Sequence, residues 1–286
     1  MSNIMSYLFE TNAVKICPDE KPFWYTSGKI GPYFINAQFL YGSETEANQF
    51  LNFIDEQLES SSKLDLPTNL FKVVKEQYEN NIIYKDVINQ MKEFIETNID
   101  INEIDYISGG ERRDWFFSNI IAYLLKKPHI TIYKDLSTVI SNYDFTENKP
   151  TKNLEEKKVL HIADLLNQAS SYIRAWIPAI QNLGAELLWS VVAVDRMQGG
   201  TQRLQDLGIY SYALVNIDPS LFTKALELNI INDKQLEMLN KFYEKPDETM
   251  REFLINHPNF IQDALNSDEK SAKRAKLCVD GNLYNL

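Results

Sequence analysis

The sequence predicts an α/β protein: a mainly parallel, five-stranded sheet flanked by helices, followed by an all-helical C-terminal extension. Three observations carry that expectation. Apolar runs begin near residues 104, 129, 158, 187 and 209 and are separated mostly by helical periodicity, as parallel strands with crossover helices require. The stretch Lys157 to Gly200 reads as one βαβ unit whose polar groups gather where its strands end. Beyond about residue 218 only helix signals remain.

Taken in order, residues 1–16 read as a short helix leading to Lys21 to Asn36, where aromatic side chains stand among Pro22, Gly28, Gly31 and Pro32. Such a segment suits an extended ribbon with tight turns, which either walls a ligand or only covers the sheet edge. Ser43 and Glu46 form a capping box that opens a helix with Ala47, Phe50, Leu51, Ile54 and Leu58 on one face. Two more amphipathic helices follow, about Thr68 to Tyr78 and Tyr84 to Thr97, without visible chemistry. Ile104 to Ser108 is a short strand, Trp115 to Leu125 a helix, and His129 to Tyr133 the next strand. Residues 134–156 lack periodicity and are rich in Asn, Asp, Thr, Lys and Pro, which predicts a long loop acting as a mobile lid. After the βαβ unit, Ile209 to Val215 supplies the last strand. Asp218-Pro219 and Asn232 with Gln235 start helices, Pro246 and Pro258 punctuate the tail, and Lys270 to Cys278 is a basic helical end.

Composition excludes some functions. With 40 acidic against 29 basic residues the net charge is -11, so a nucleic-acid surface, which needs clustered Lys and Arg, is not expected. Cys17 and Cys278 stand alone in no metal-ligand spacing and read as reduced thiols of a cytoplasmic protein. No run approaches the ~18 apolar residues of a membrane span. His129, His161 and His257 are isolated and read as structural, and there is no zinc motif, nucleophile elbow or dinucleotide fingerprint.

The chemistry gathers at two strand-to-helix turns. Gly109-Gly110-Glu111-Arg112-Arg113-Asp114 follows a strand and opens a helix. Glycines let the backbone approach an anion, Arg112 or Arg113 can pair with it, and Glu111 can take a hydroxyl or an amide. Asp164 ends the next apolar run, and Asn167-Gln168-Ala169-Ser170-Ser171 leads into a helix whose opening amides suit a phosphate.

These features, in this order, resemble the type I phosphoribosyltransferases, and most of all the orotate phosphoribosyltransferase branch. Tyr25 to Asn36 is similar to that branch's S-G-R-x-S-P-Y-F-F-N segment, Gly109 to Arg113 to its G-G-E-R-R-G loop, and Val194 to Gly200 to its V-D-R-x-E-G-G. Val159 to Ser171 lies over the phosphoribosyl diphosphate motif V-L-I-V-[DE]-D-V-x-T-T-G-G-S, so the resemblance spans roughly residues 20 to 217. It implies a phosphoribosyltransferase-like α/β domain over 1–217, including an N-terminal hood, and a helical extension over 218–286. The implied reaction transfers ribose 5-phosphate from phosphoribosyl diphosphate, with Mg²⁺, to a pyrimidine-like base, in a homodimer.

The resemblance also assigns roles. Glu111, Arg112, Arg113, Asp164, Asn167, Gln168, Ala169, Ser170 and Ser171 would bind phosphoribosyl diphosphate, Asp164 through the ribose hydroxyls or Mg²⁺; Phe34, Ile35 and Arg196 would face the base; Lys134 would serve from the lid. Four departures are visible. Ala163 replaces the first acid of the motif, Ala169 and Ser170 replace its glycines, Thr26 replaces a lysine, and the lid lacks most of the family's cations. An alternative reading is a catalytically impaired relative that binds a nucleotide or phosphoribosyl ligand as a sensor or regulatory partner.

Overall fold

The computed structural model describes residues 4–18, 21–150 and 152–285. Along the chain run α1 (Ile4–Glu10), β1 (Val14–Ile16), β2 (Phe23–Trp24), β3 (Ile30–Gly31), β4 (Tyr33–Ile35), α2 (Glu44–Ser60), α3 (Leu66–Asn80) and α4 (Ile82–Asn98). Then come β5 (Tyr106–Gly110), α5 (Trp115–Leu125), β6 (His129–Ile132), β7 (Thr138–Ser141), β8 (Asn148–Pro150) and β9 (Lys158–Leu166). The remainder is α6 (Ile177–Gln181), β10 (Glu186–Asp195), α7 (Gly200–Asp206), β11 (Tyr210–Asn216), α8 (Pro219–Glu227), α9 (Asp233–Glu244), α10 (Pro246–Asn256), α11 (Phe260–Leu265) and α12 (Glu269–Asp280). They form two compact units, Met1–Ala13 with Ala37–Ile217 and Val14–Asn36 with Asp218–Leu286.

The first unit is built on a seven-stranded sheet of order β11-β10-β9-β5-β6-β7-β8. The five expected strands, β5, β6, β9, β10 and β11, pair in parallel. From β5 the chain passes to β6 on one side, then returns to place β9 on the other. The strand order therefore reverses between β5 and β9, the point in an open parallel sheet where a ligand crevice forms. The Ser43 hydroxyl accepts the Glu46 amide at 3.1 Å and donates to the Glu46 carboxylate at 2.7 Å, which fixes the start of α2 as the sequence predicts. Helix α5 is apolar almost all round, with Trp115 to Ala122 and Leu125 buried, so it sits inside the unit rather than on its surface.

Residues 134–156 are not the expected long loop. β7 runs antiparallel to β6 and β8 antiparallel to β7, so the segment extends the sheet edge. Its polar residues tie it to α3 and the turn before it. Thr68 donates to the Phe145 carbonyl (2.7 Å), Asn148 Nδ2 to the Leu64 carbonyl and Thr68 Oγ1 (both 2.7 Å), and Lys63 pairs with Asp135 and donates to the Ser137 hydroxyl. The Lys63 ammonium and the Ser137 hydroxyl hold the Asp135 carboxyl down at about 2. Phe145, 1% exposed, stacks on Phe71 at 4.4 Å. Antiparallel edge strands need only a local turn, and these contacts supply the burial that a polar sequence conceals.

In the second unit β1 pairs with β4 and β2 with β3, both antiparallel, giving the extended ribbon expected for 21–36. That segment was expected to belong with residues 1–217; the contacts instead group it with the C-terminal helices. Trp24 stacks on Phe260 (5.5 Å), Tyr33 packs on Phe222 and Phe242, the Tyr284 hydroxyl accepts the Ile30 amide (2.8 Å), and Arg274 donates to the Trp24 carbonyl (2.8 Å). Gly28 has φ +83°, and a Cβ there would lie 2.8 Å from the Leu277 Cβ, so glycine is required where the ribbon meets α12. Cys17 and Cys278 are buried thiols without a disulfide, as expected.

Because Phe145 anchors the hairpin, Phe145→Ala is expected to lower stability by about 3 kcal/mol in urea denaturation. An unchanged midpoint would show that residues 134–156 behave as a free loop.

Candidate phosphate-binding site at the sheet switch point

Two turns meet at the reversal of strand order. After β5 the chain passes through Glu111, Arg112 and Arg113, with a cis peptide between the first two, and Asp114 heads α5. After β9 it turns through Asn167 to Ala169 into a helix that opens with a π-helical turn, Tyr172–Trp176, and continues as α6. Trp176 fits because Gly110 has no side chain: a Cβ there would lie 2.3 Å from the indole. Single π turns of this kind recur at functional sites.

Between the turns lies a cavity of about 540 Å³. All nine residues expected around phosphoribosyl diphosphate line it: Glu111, Arg112, Arg113, Asp164, Asn167, Gln168, Ala169, Ser170 and Ser171. The first helical hydrogen bond runs from the Ile173 amide to the Ala169 carbonyl (3.0 Å), so the amides before it have no helical acceptor. Arg113 is exposed, whereas Arg112 is paired with Asp55 of α2. Lys134 lines an adjoining cavity of about 600 Å³ that shares Glu111, Arg112, Ser171 and Trp176, and its backbone amide donates to the Glu111 carboxylate at 2.8 Å. Arg174, unmarked by the sequence reading, lines the same space and donates to the Ser170 carbonyl at 3.3 Å.

Arg196 follows β10, half-buried, and among the described residues its Nε has no hydrogen-bond partner. Phe34 and Ile35 belong to the second unit, in β4. There Phe34 lies 4.8 Å from Phe23 and 5.5 Å from Tyr25, and Ile35 is 7% exposed.

The segment Val194 to Gly200 closes the first unit's turns together. Asp195, 2% exposed, accepts the Met197 amide (2.7 Å) and the Thr201 hydroxyl (2.6 Å). A Cβ on Gly200 would lie 2.4 Å from the Asn167 carbonyl oxygen, and Arg203 donates to the Gln168 carbonyl at 3.1 Å. This brings Gln198 to the cavity wall. Ala169 keeps φ +55°, the left-handed backbone of a glycine position, despite its Cβ.

Three buried polar residues that the sequence marks only weakly organise the centre. Asp114 Oδ2 accepts the Gly110 amide (3.0 Å) and lies 3.3 Å from His161 Nε2, while Oδ1 accepts the Asp164 amide (3.4 Å). His161 Nδ1 pairs with the Ser108 hydroxyl (2.9 Å) and its ring stacks on Trp176, so its nitrogens are satisfied as expected. The signal for Asp114 was its place in a charge run, which more often marks a solvated turn. His129 is also buried and satisfied, by Thr131 and Ser118, and burial pushes it down to about 3.

Asp164 is 7% exposed, and its Oδ2 has no partner among the described residues. Burial, then the Asp114 carboxylate, push it up to about 7, against the pull of Arg113. A folded value above the ordinary 3.8 means a stability contribution fully present below pH 3.8 and lost as pH rises to about 7.

No protein-family model and no curated protein sequence matches the chain. Solved structures do. The UMP synthase of Leishmania donovani superposes with a TM-score of 0.54 at 17% identity, over 86% of this chain. The chain spans 42% of that protein's length. The orotate phosphoribosyltransferases of Francisella tularensis (TM-score 0.53, 15% identity, 85% of this chain and 98% of that one) and Aeropyrum pernix (0.50, 16%, 79% and 99%) are alike in extent. The chain thus has the type I phosphoribosyltransferase fold, as the resemblance implied.

Two measurements test the turn. Ala169→Gly is expected to raise stability by about 0.5–1 kcal/mol in urea denaturation, by relieving left-handed backbone strain; a loss would show that the alanine side chain is needed. Asp164→Asn is expected to gain stability relative to the parent as pH rises from 4 to 7, by up to about 1.4 kcal/mol per pH unit. A pH-independent difference would mean that the carboxyl titrates normally.

Proposed function

We propose that this chain is a phosphoribosyltransferase that binds phosphoribosyl diphosphate in the cavity between the β5 and β9 turns and transfers its ribose 5-phosphate to a nitrogenous base. The observation that carries this reading is the convergence of two sequence-distant turns on one cavity, offering helix-opening amides, an exposed arginine and a buried carboxylate. The amides of the Asn167 to Ser171 turn suit the 5-phosphate, because a helix start combines unpaired N–H donors with the positive end of the dipole. Arg113, exposed at the cavity and in no salt bridge among the described residues, suits the diphosphate. Asp164 Oδ2, buried and without a partner among the described residues, suits a ribose hydroxyl.

In the proposed reaction the ribose C1–oxygen bond breaks and diphosphate departs with the electron pair. A base nitrogen forms the new bond to C1, and the base gives up its N–H proton to solvent. The residues orient the sugar and stabilise charge on the leaving group; no side chain attacks. Orotate as the base is supported by the resemblance of Val194 to Gly200 and by Arg196, whose Nε, without a partner among the described residues, suits an anionic edge. Mg²⁺ fits only beside the diphosphate. Among the described residues no three His, Cys, Asp or Glu side chains gather as ligands; of the acids lining the cavity, Asp164, whose Oδ2 has no partner among those residues, is the one that would meet the ion. When bound it would neutralise leaving-group charge.

One observation favours a second reading, a chain that binds the ligand without turning it over. The segment expected to bring lid cations is tied down as an edge hairpin, with Asp135 engaged by Lys63 and Arg112 by Asp55. Diphosphate release from phosphoribosyl diphosphate, Mg²⁺ and a panel of bases separates the two. Release is expected, and Arg113→Gln should lower kcat/KM by about 10²–10³. Calorimetric binding without release for any base would leave the second reading; absence of binding would remove both.

A further inference from the structure

We infer that Asp114 and Asp164 together form the acidic pair that holds the ribose diol, the second carboxylate coming from the β5–α5 turn rather than from the neighbour of Asp164 on β9. The inference rests on the phosphoribosyl reading of the cavity and assigns residues within it. Position 163 is alanine, so β9 offers one acid only. Asp114 also lines the cavity, and its Oδ1 reaches the Asp164 backbone amide at 3.4 Å. The two carboxylates are 6% and 7% exposed, and Asp164 Oδ2 has no partner among the described residues.

An isolated structural acid would end its oxygens on donors of its own turn. Asp114 does so with one oxygen only. Oδ2 takes the Gly110 amide and His161, while Oδ1 has, among the described residues, a single long bond, which leaves it capacity for a further donor. Burying two carboxylates side by side is costly unless further donors reach them. Among the described residues Arg113 is the cation that acts on Asp164, and His161 is the group that supports Asp114. Two vicinal hydroxyls supply what is missing, since each is a donor and together they span a pair of acids that a lone phosphate would be repelled by. His161, stacked on Trp176, met edge-on by Tyr172 and anchored by Ser108, is then a positioning residue that fixes the Asp114 rotamer.

The test uses ligands that differ in one hydroxyl. Ribose 5-phosphate and 2-deoxyribose 5-phosphate are titrated calorimetrically into the intact chain and into Asp114→Asn and Asp164→Asn, with inorganic phosphate as a control for the amide turn. The parent is expected to prefer the ribose compound by about tenfold or more. Each variant should lose part of that preference while binding inorganic phosphate as the parent does. Full preference retained in Asp114→Asn overturns the pair and leaves Asp164 as the single acid. If Asp114→Asn does not fold, Asp164→Asn decides alone: a residual preference supports a second acid, and complete loss overturns it. A parent that binds phosphoribosyl diphosphate but does not discriminate the two sugars overturns this assignment only, whereas a parent that binds none of them overturns the phosphoribosyl reading as well.

Discussion

The buried carboxylate of Asp114 is the contact on which the centre of the α/β unit depends. It accepts N–H groups from the end of β5 and from β9 and lies against the ring of His161, so it ties together the strands between which the sheet order reverses. A buried charge is tolerable only with such donors around it. Gly110 admits Trp176, the last residue of the π turn, to the same spot.

The second turn is held from outside itself. Its residues, Asn167 to Ser171, lack the glycines that make a phosphate-cradling turn easy, yet Ala169 adopts a left-handed backbone. Gly200 lets the β10–α7 turn come up against the Asn167 carbonyl, and Arg203 grips the Gln168 carbonyl. Tertiary packing therefore imposes a conformation that local propensity disfavours, which is how strain persists at sites where it is used.

Legibility in the sequence followed the strength of the local signal. The five parallel strands, the N-cap at Ser43, helix α5 and the helix starts at Asp218 and Asn232 were readable, because apolar periodicity and cap residues act within a few positions. The edge hairpin was not. Its strands are three and four residues long, and its stability lies in Thr68, Lys63 and Phe71, distant in sequence. The aromatic ribbon of 21–36 was recognisable as a ribbon, but its association with helices more than 180 residues later was invisible for the same reason.

What the sequence determined by itself was the five parallel strands with the helices between them, and the two turns, with their residues, that line the cavity. Those are consequences of short-range periodicity and of motifs whose residues are contiguous. Only the tertiary structure decided which polar groups share a cavity, that Asp114 stands beside Asp164, that Arg112 is engaged by Asp55, and that the lid is a hairpin. Burial and pairing depend on neighbours that the chain brings together across tens of residues, and a charge in a turn has no fixed meaning until it is known what lies opposite it.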